Sequence, residues 1–394
     1  MQVKPKIDKK EFEIIKIAAK NISNAKKAAN TGDFYGKLPS ILGFKLTNRC
    51  NLRCAHCYEW NKDGYHNKMD AESQNKDLDY AVLEKCLKET REVKSNVYLW
   101  GGEPLVYSHI DEVLRYLGED KRITAICTNG LLLREKADLL VPMSEKLELL
   151  IALDGTEEQN DAIRGKQVHK RVTEAMKYFM ELRQKGIFHG KISVHTVVTD
   201  ANIHALRQHI REMEEIGIDS LILCLPWYIS EETSNKMDEF YQNYFDWLSV
   251  SRQDQVGSWH AFKFRLSTEN ISLLNQIMEE VREKRFKLPI KLQPDLGAEQ
   301  VGCFIKGEDL KETGRRMCLS IANRMDILPN GKITSCKHFP EFTIGDLHTN
   351  SVMELWGHER MNRVREVLFG QTMPVCSKCN NFYLHGYKAK EPVW

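Results

Sequence analysis

The chain has 394 residues, enough for two or three domains and a sizeable core that needs no disulfide staples. Lysine and arginine number 57 against 55 aspartates and glutamates, a net charge of +2, which argues against a dedicated nucleic-acid binder. At 42% hydrophobic and 28% charged residues the composition is globular and excludes a largely disordered chain.

The longest apolar stretch runs from Leu221 to Ile229, contains Pro226 and is too short to cross a bilayer. The first residues, MQVKPKIDKKEFEIIK, carry no apolar signal region, so a cytoplasmic protein without a membrane partner is expected. Residues 1–40 read as a helical extension with an amphipathic helix over Lys9–Ala29. Strands are expected at Gly43–Thr47, Asn96–Trp100, Arg122–Cys127, Leu147–Leu153, Lys191–Val198 and Ser220–Leu225. Between them fall expected helices at Leu78–Lys94, His109–Gly118, Leu132–Leu140, His169–Lys185 and Ile203–Ile216. Such alternation implies a parallel sheet with right-handed crossovers. The expected fold class is therefore α/β, a partial (β/α)6 barrel over 41–235 with its chemistry at the C-terminal strand ends.

After the sixth strand the alternation stops. Helices are expected at Asp238–Val250 and Asn270–Lys284, in a segment, 236–310, that reads as a helical linker or substrate cap. Its aromatics Trp247, Trp259, Phe262 and Phe264, with Trp227 and Tyr228 at the mouth of the sixth strand, suit a cap or packing between domains. Residues 311–394 are short-patterned and turn-rich, with Pro329-Asn330-Gly331 and Gly345-Asp346, and read as a small α+β domain.

Eleven cysteines in a large chain without a signal peptide point to metal ligands or reactive thiols more than to disulfides. Cys50, Cys54 and Cys57 form C-x3-C-x2-C, a triple that chance rarely produces. Three thiolates on one loop suit a polynuclear iron site, and three of them on a [4Fe–4S] cluster leave the fourth iron open. Zinc would want a fourth ligand. His56 is the nearest, but between Cys54 and Cys57 its ring would point away from a shared centre.

Together, CNLRCAHCY, the Gly101-Gly102-Glu103-Pro104 run after Val97–Trp100 and the strand–helix order resemble the radical S-adenosylmethionine (SAM) superfamily over roughly 41–230. The resemblance implies that Gly101, Gly102, Glu103 and Pro104 hold the methionine ammonium of SAM. Glycines let backbone carbonyls approach a charged ligand, and the Glu103 carboxylate complements it. Thr128-Asn129-Gly130 matches a turn near the ribose, so Asn129 is a further cofactor-binding candidate. Leu153-Asp154-Gly155 matches a fourth-strand motif and makes Asp154 another. Ala152 stands where many relatives have serine, removing one hydroxyl contact. Arg164 is a candidate for the SAM carboxylate, against a surface arginine. Tyr58 is one for the adenine, against an aromatic packed beside the cluster.

The stretch MCLSIANRMDILPNGKITSC, with IGDLHTNSVMELW and CSKC, resembles the SPASM/Twitch extension of the same superfamily. It implies one auxiliary [4Fe–4S] cluster on Cys318, Cys336, Cys376 and Cys379, with a structural zinc on the same thiolates as the alternative. A full SPASM domain has seven cysteines, and none follows Cys379 here. Cys86, Cys127 and Cys224 read as small buried side chains, and Cys303 is unassigned.

By this resemblance the chain is an oxidoreductase-type radical SAM enzyme. It would take electrons from a flavodoxin- or ferredoxin-like donor, cleave SAM to a 5′-deoxyadenosyl radical and abstract a hydrogen atom from substrate. The auxiliary cluster would ligate the substrate or accept an electron. The short N-terminal extension favours a small alcohol or amino-sugar-like substrate over the alternative, a ribosomal peptide or protein. A non-catalytic iron–sulfur or zinc protein is the competing class. Tyr228, His260 and Asp295 are the candidates for a general base.

Overall fold

A computed structural model describes residues 9–248, 256–309 and 317–387. Ten strands form one sheet in the order β11-β10-β9-β1-β2-β3-β4-β5-β6-β7. They are β1 (Ile41–Lys45), β2 (Asn96–Trp100), β3 (Thr124–Thr128), β4 (Leu147–Ala152), β5 (Lys191–Val197), β6 (Ser220–Cys224), β7 (Ile290–Gln293), β9 (Arg324–Ile327), β10 (Lys332–Thr334) and β11 (Thr343–Asp346). Two more, β8 (Met317–Cys318) and β12 (Gly386–Tyr387), pair antiparallel apart from it. From β9 through β1 to β7 every neighbour is parallel, while β10 runs antiparallel to both β9 and β11.

The strands form where the apolar residues lie. Leu42, Phe44, Leu99, Ile126, Leu149, Ile151, Val194 and Leu221 are fully or almost fully buried under the crossover helices. At roughly 25 cal/mol per Å² of apolar area, such residues stabilise the fold by about 1.5–3 kcal/mol each. Helix starts follow local capping: the Asp79 side chain accepts from Ala81 N, and Ser230 from Thr233 N.

Three expectations change. First, the alternation does not stop at six strands. Helix Ile271–Arg282 leads back into β7, which joins β6 in parallel register. Its four residues include the exposed Lys291 and lie between Pro289 and Pro294, so the sequence reads as a loop. Second, the C-terminal segment does not keep its sheet apart: β9 pairs with β1 and carries the hairpin β9–β10 onto the barrel edge. Third, the stretch Leu132–Leu140 is helical only at Ala137–Leu140. Gly130 sits at φ +84° and the Asn129 side chain takes the Leu131 N–H, so the chain turns before it can wind. The helix expected over Asp238–Val250 is Glu231–Phe245, and residues 249 and 250 lie outside the described residues. Among the described residues no helix is long and apolar enough to cross a membrane.

Candidate active site

The C-terminal ends of β2 to β7 open into one cavity of about 370 Å³. Tyr98, Trp100, Cys127, Ala152, His195, Val197, Cys224 and Gln293 project into it from successive strands, where a parallel barrel places its chemistry.

The loop after β1 supplies one wall. Its backbone folds onto itself, Cys57 N donating to Cys54 O (3.1 Å) and Asn61 N to Cys57 O (2.9 Å). Trp60 Nε1 ties the loop back to Asn48 O (2.8 Å), with the Arg53 guanidinium over the indole at 4.2 Å. Ala55 N donates to Ile163 O (3.0 Å), fastening it to helix Glu157–Arg164. Cys50, Cys54 and Cys57 all line the cavity. Burial pushes the Cys50 and Cys57 thiols up to about 12 and raises that of Cys54 as well, against the pull of Arg164. Neutral, sulfur-only and clustered, the three ionise readily only against a cationic centre such as iron.

The Gly-Gly-Glu-Pro run crosses behind that loop. Gly102 N donates to Thr47 O and Glu103 N to Arg49 O, both at 2.9 Å. A Cβ on Gly101 (φ +152°) would lie 2.6 Å from Thr47 O, and one on Gly102 would run into Arg49 O. The glycines thus serve the close crossing of two backbones, a role the sequence reading gave only to the ligand. Glu103 Oε1 accepts from Leu105 N (3.0 Å) and Thr128 Oγ1 (2.7 Å), and Oε2 from Asn129 N (2.6 Å). Burial outweighs these bonds and raises its pKa to about 7. Pro104 is buried as the first residue of a short turn and does not line the cavity.

Asp154 does not line the cavity either; it organises two side chains that do. Its Oδ2 meets Arg164 Nη2 at 2.7 Å and His56 Nε2 at 2.6 Å, and Oδ1 accepts from Val197 N (2.7 Å). Burial alone would raise its pKa, but Arg164 and His56 hold it well below the usual carboxylate range. Arg164 is therefore buried, not a surface residue, with Nη1 3.8 Å from Cys54 Sγ and Nε without a partner. Asn129 donates to Asn51 Oδ1 at 2.7 Å, within reach of the same space.

Aromatic rings close the far wall. Tyr58 stacks on Phe262 at 4.4 Å, and Trp227 lies 6.0 Å from Tyr58. His338 packs edge-on to Trp227 at 4.0 Å, accepts or donates at Tyr58 Oη (3.4 Å), and meets Asn381 Nδ2 at 2.9 Å. Phe262 and Phe264 do reach the cavity from the segment read as a cap. The three base candidates do not. Tyr228 packs against Gly307 with Arg265 at 5.4 Å from its ring. His260 is held by Asp238 at 2.8 Å, and Asp295 is exposed and paired with Arg282 at 2.9 Å. Each is turned away from the cavity by the partner that holds it.

The sequence reading missed Tyr98, Trp100, His195, Gln293, Lys337, His338, Asn380 and Asn381, and took Cys127 and Cys224 for core. The signal available was position: the inward residues of strand ends alternate with buried ones. Burial lowers the His195 pKa to about 4, leaving a neutral imidazole.

Behind this wall stand the C-terminal thiols. Burial raises the pKa of all four, and Cys376 feels Cys379, Cys318 and Cys336 in turn. Their chain neighbours Lys337 and Asn380 line the cavity itself. Among the described residues no three His, Cys, Asp or Glu side chains converge closely enough to hold a single metal ion. The donor sets on offer are sulfur-only, three on one wall and four behind another, the chemistry of iron–sulfur ligation. All eleven cysteines are free of disulfides.

Residues 44–213 match the radical SAM superfamily model, and residues 318–380 match SPASM, an iron–sulfur cluster-binding domain. The antilisterial bacteriocin subtilosin biosynthesis protein AlbA of Bacillus subtilis is 30% identical over 45% of this chain and 38% of its own. The mycofactocin maturase MftC of Mycolicibacterium smegmatis is 25% identical over 87% and 76%. The chain thus spans well under half of AlbA and about three quarters of MftC. Among solved structures, Streptococcus suis SuiB bound to S-adenosylmethionine superposes with a TM-score of 0.57 at 16% identity, over 94% of this chain and 74% of that one. Native anSMEcpe with bound AdoMet and Cp18Cys peptide gives 0.54 at 15%, over 88% of each. The fold is shared with both.

Proposed function

We propose that the chain, with its radical SAM and SPASM domains, is a radical SAM enzyme that modifies a peptide or protein by hydrogen-atom abstraction. The superfamily brings a [4Fe–4S] cluster and SAM, and the SPASM domain brings auxiliary iron–sulfur ligation. These replace the non-catalytic alternative. The peptide substrate is supported by the relatives, a maturase and a bacteriocin biosynthesis protein, with SuiB known bound to the precursor peptide SuiA. They favour it over the small alcohol that the short N-terminal extension suggested.

The observation that carries the proposal is the meeting of Cys50, Cys54, Cys57 and Glu103 in one cavity whose far wall backs onto four more thiols. Cys50, Cys54 and Cys57 would hold the SAM-binding cluster, and Cys318, Cys336, Cys376 and Cys379 one auxiliary cluster. Bound there, the cluster and SAM would supply a 5′-deoxyadenosyl radical for hydrogen-atom abstraction. This chain's residues bind, orient and shield. Glu103 offers a buried carboxylate to the methionine ammonium. Asp154 fixes Arg164 beside Cys54, and Arg164, with its unpartnered Nε, would bind the methionine carboxylate while Asn129 would meet the ribose. Tyr58, Trp227 and Phe262 exclude water from the radical's path. A flavodoxin- or ferredoxin-like donor is the proposed electron source. The domain limits 1–40, 41–235, 236–310 and 311–394 are kept as functional units, although β7 and β9 join them in one sheet.

Anaerobic reconstitution should give about eight irons per chain and SAM-dependent release of 5′-deoxyadenosine. A peptide library should yield products of altered mass while aminocyclitols do not. Turnover confined to the cyclitols would overturn the substrate assignment.

A further inference from the structure

Lys337 stands apart from the other charges of the cavity. Its ammonium lies 4.4 Å from the Tyr98 ring and 4.6 Å from that of Trp100, with Tyr98 Oη at 3.4 Å. Among the described residues no carboxylate lies within ion-pair distance of it, because the nearby acids are taken. Asp326 is paired with Arg324 at 2.7 Å, and Glu59 with Lys45 at 2.7 Å. At the cluster end, Arg164 is likewise neutralised by Asp154. Lys337 is left without a carboxylate partner in a box of aromatic faces, and it lines both this cavity and the smaller one beside it.

Other groups on this lining are also unmatched. Trp100 Nε1, Trp227 Nε1 and His195 Nε2 are buried without a hydrogen-bond partner. A buried N–H left unpaired is costly, so such groups lining the same cavity as the ammonium call for an acceptor. One ammonium with neutral donors balances a single negative charge. The ammonium and the edge-directed indole N–H groups suit a flat, two-oxygen anion.

We propose that Lys337, with the indole N–H groups of Trp100 and Trp227 and the His195 ring, forms a subsite for a carboxylate of the substrate. The subsite rests on the reading of this cavity as the substrate chamber, and it adds a substrate class: a peptide presenting an acidic side chain or its C-terminal carboxylate. Lys337 then anchors the substrate at the wall opposite its reacting end, so that binding energy spent on the carboxylate orients the C–H bond. Here Lys337 is a positioning residue.

The test uses reconstituted, SAM-loaded enzyme and small probes followed by saturation-transfer NMR. N-acetylglycine stands for a C-terminal carboxylate and N-acetyl-glutamic acid α-amide for a side chain; N-acetylglycinamide and N-acetylglutaminamide are the uncharged controls. At least one acid should bind about tenfold or more tighter than its amide, and which acid does so names the source. Lys337→Met should erase that preference with the iron content unchanged, and Lys337→Arg should retain it. Trp227→Phe, which keeps the ring and removes the N–H, should weaken the same preference to a smaller degree. Equal binding of acids and amides, or no binding of either acid at ~20 mM, overturns the subsite. So does loss of iron in Lys337→Met, because the ammonium would then serve the auxiliary cluster. Failure of the wild-type enzyme to cleave SAM while acids still bind would count against the proposed function and leave the subsite standing.

Discussion

Glu103 offers the sharpest test of the electrostatics, because burial raises its pKa from the usual 4.5 to about 7 despite three hydrogen bonds. At about 1.4 kcal/mol per pKa unit, that difference is about 3 kcal/mol. The sign follows from linkage. The folded state holds the proton more tightly than the unfolded one, so the stabilisation is complete below the unfolded pKa and is lost as pH rises through 7. Glu103→Gln removes the titration. Its amide also turns N–H groups toward donors, either Asn129 N or Leu105 N, at a cost of about 1–3 kcal/mol. Urea unfolding of the metal-free chain, wild type and variant, from pH 5 to 8 should therefore show the variant less stable at pH 5. The gap should close by nearly 3 kcal/mol, most of it before pH 8. Both proteins carry the same other titrating groups, so the difference between them isolates this carboxylate. A gap that stays constant, or widens with pH, refutes the raised pKa. It would also refute the argument that this carboxylate is held ready for a cation whose arrival restores its charge.

Cys54→Ala should abolish 5′-deoxyadenosine release and lower the iron count by about four, measured by colorimetric iron assay after reconstitution. Cys376→Ala should also remove about four irons but spare part of SAM cleavage; loss of zinc instead would make the C-terminal site structural. Asp154→Asn leaves the Arg164 guanidinium buried without its counter-charge, and a loss of about 3–5 kcal/mol in urea unfolding is expected. Because the Asp154 pKa is depressed, that loss should be full at neutral pH and shrink only as pH falls below about 4, and an unchanged midpoint at pH 7 would contradict the pairing. Gly102→Ala pushes a methyl into Arg49 O and should prevent cluster loading even though the three cysteines remain, as iron content would show.

What the sequence made legible was periodic or densely spaced. The strand–helix order emerged because Leu99, Ile126, Leu149 and Val194 recur in short apolar runs between amphipathic helices, a pattern set by burial. Cys50, Cys54 and Cys57 were legible for the same local reason. β7 was not, because four residues at a sheet edge with an exposed lysine carry almost no apolar signal. The pairing of β9 with β1 was not either, since it joins residues about 280 apart and leaves no mark on either segment. Gly43 on β1 bears the only trace of it, its missing side chain making room for the Arg324–Asp326 pair.

That pairing decides what the cavity contains. Once β9 lies beside β1, the chain that follows β10 is brought over the strand ends, and Lys337 and His338 arrive next to Trp100 and Trp227. Tyr98 is then held between the Arg324 guanidinium at 4.6 Å and the Lys337 ammonium at 4.4 Å. The barrel alone supplies a wall of thiols and a carboxylate suited to a cofactor. Lys337 and His338 come from more than a hundred residues later in the sequence than Trp100, His195 and Trp227, and they reach them because the C-terminal hairpin shares the barrel's sheet. The charged member of the substrate subsite therefore has a different origin in the chain from the cofactor's ligands. Substitutions in the β9–β1 register should alter substrate binding before they alter iron loading at Cys50, Cys54 and Cys57.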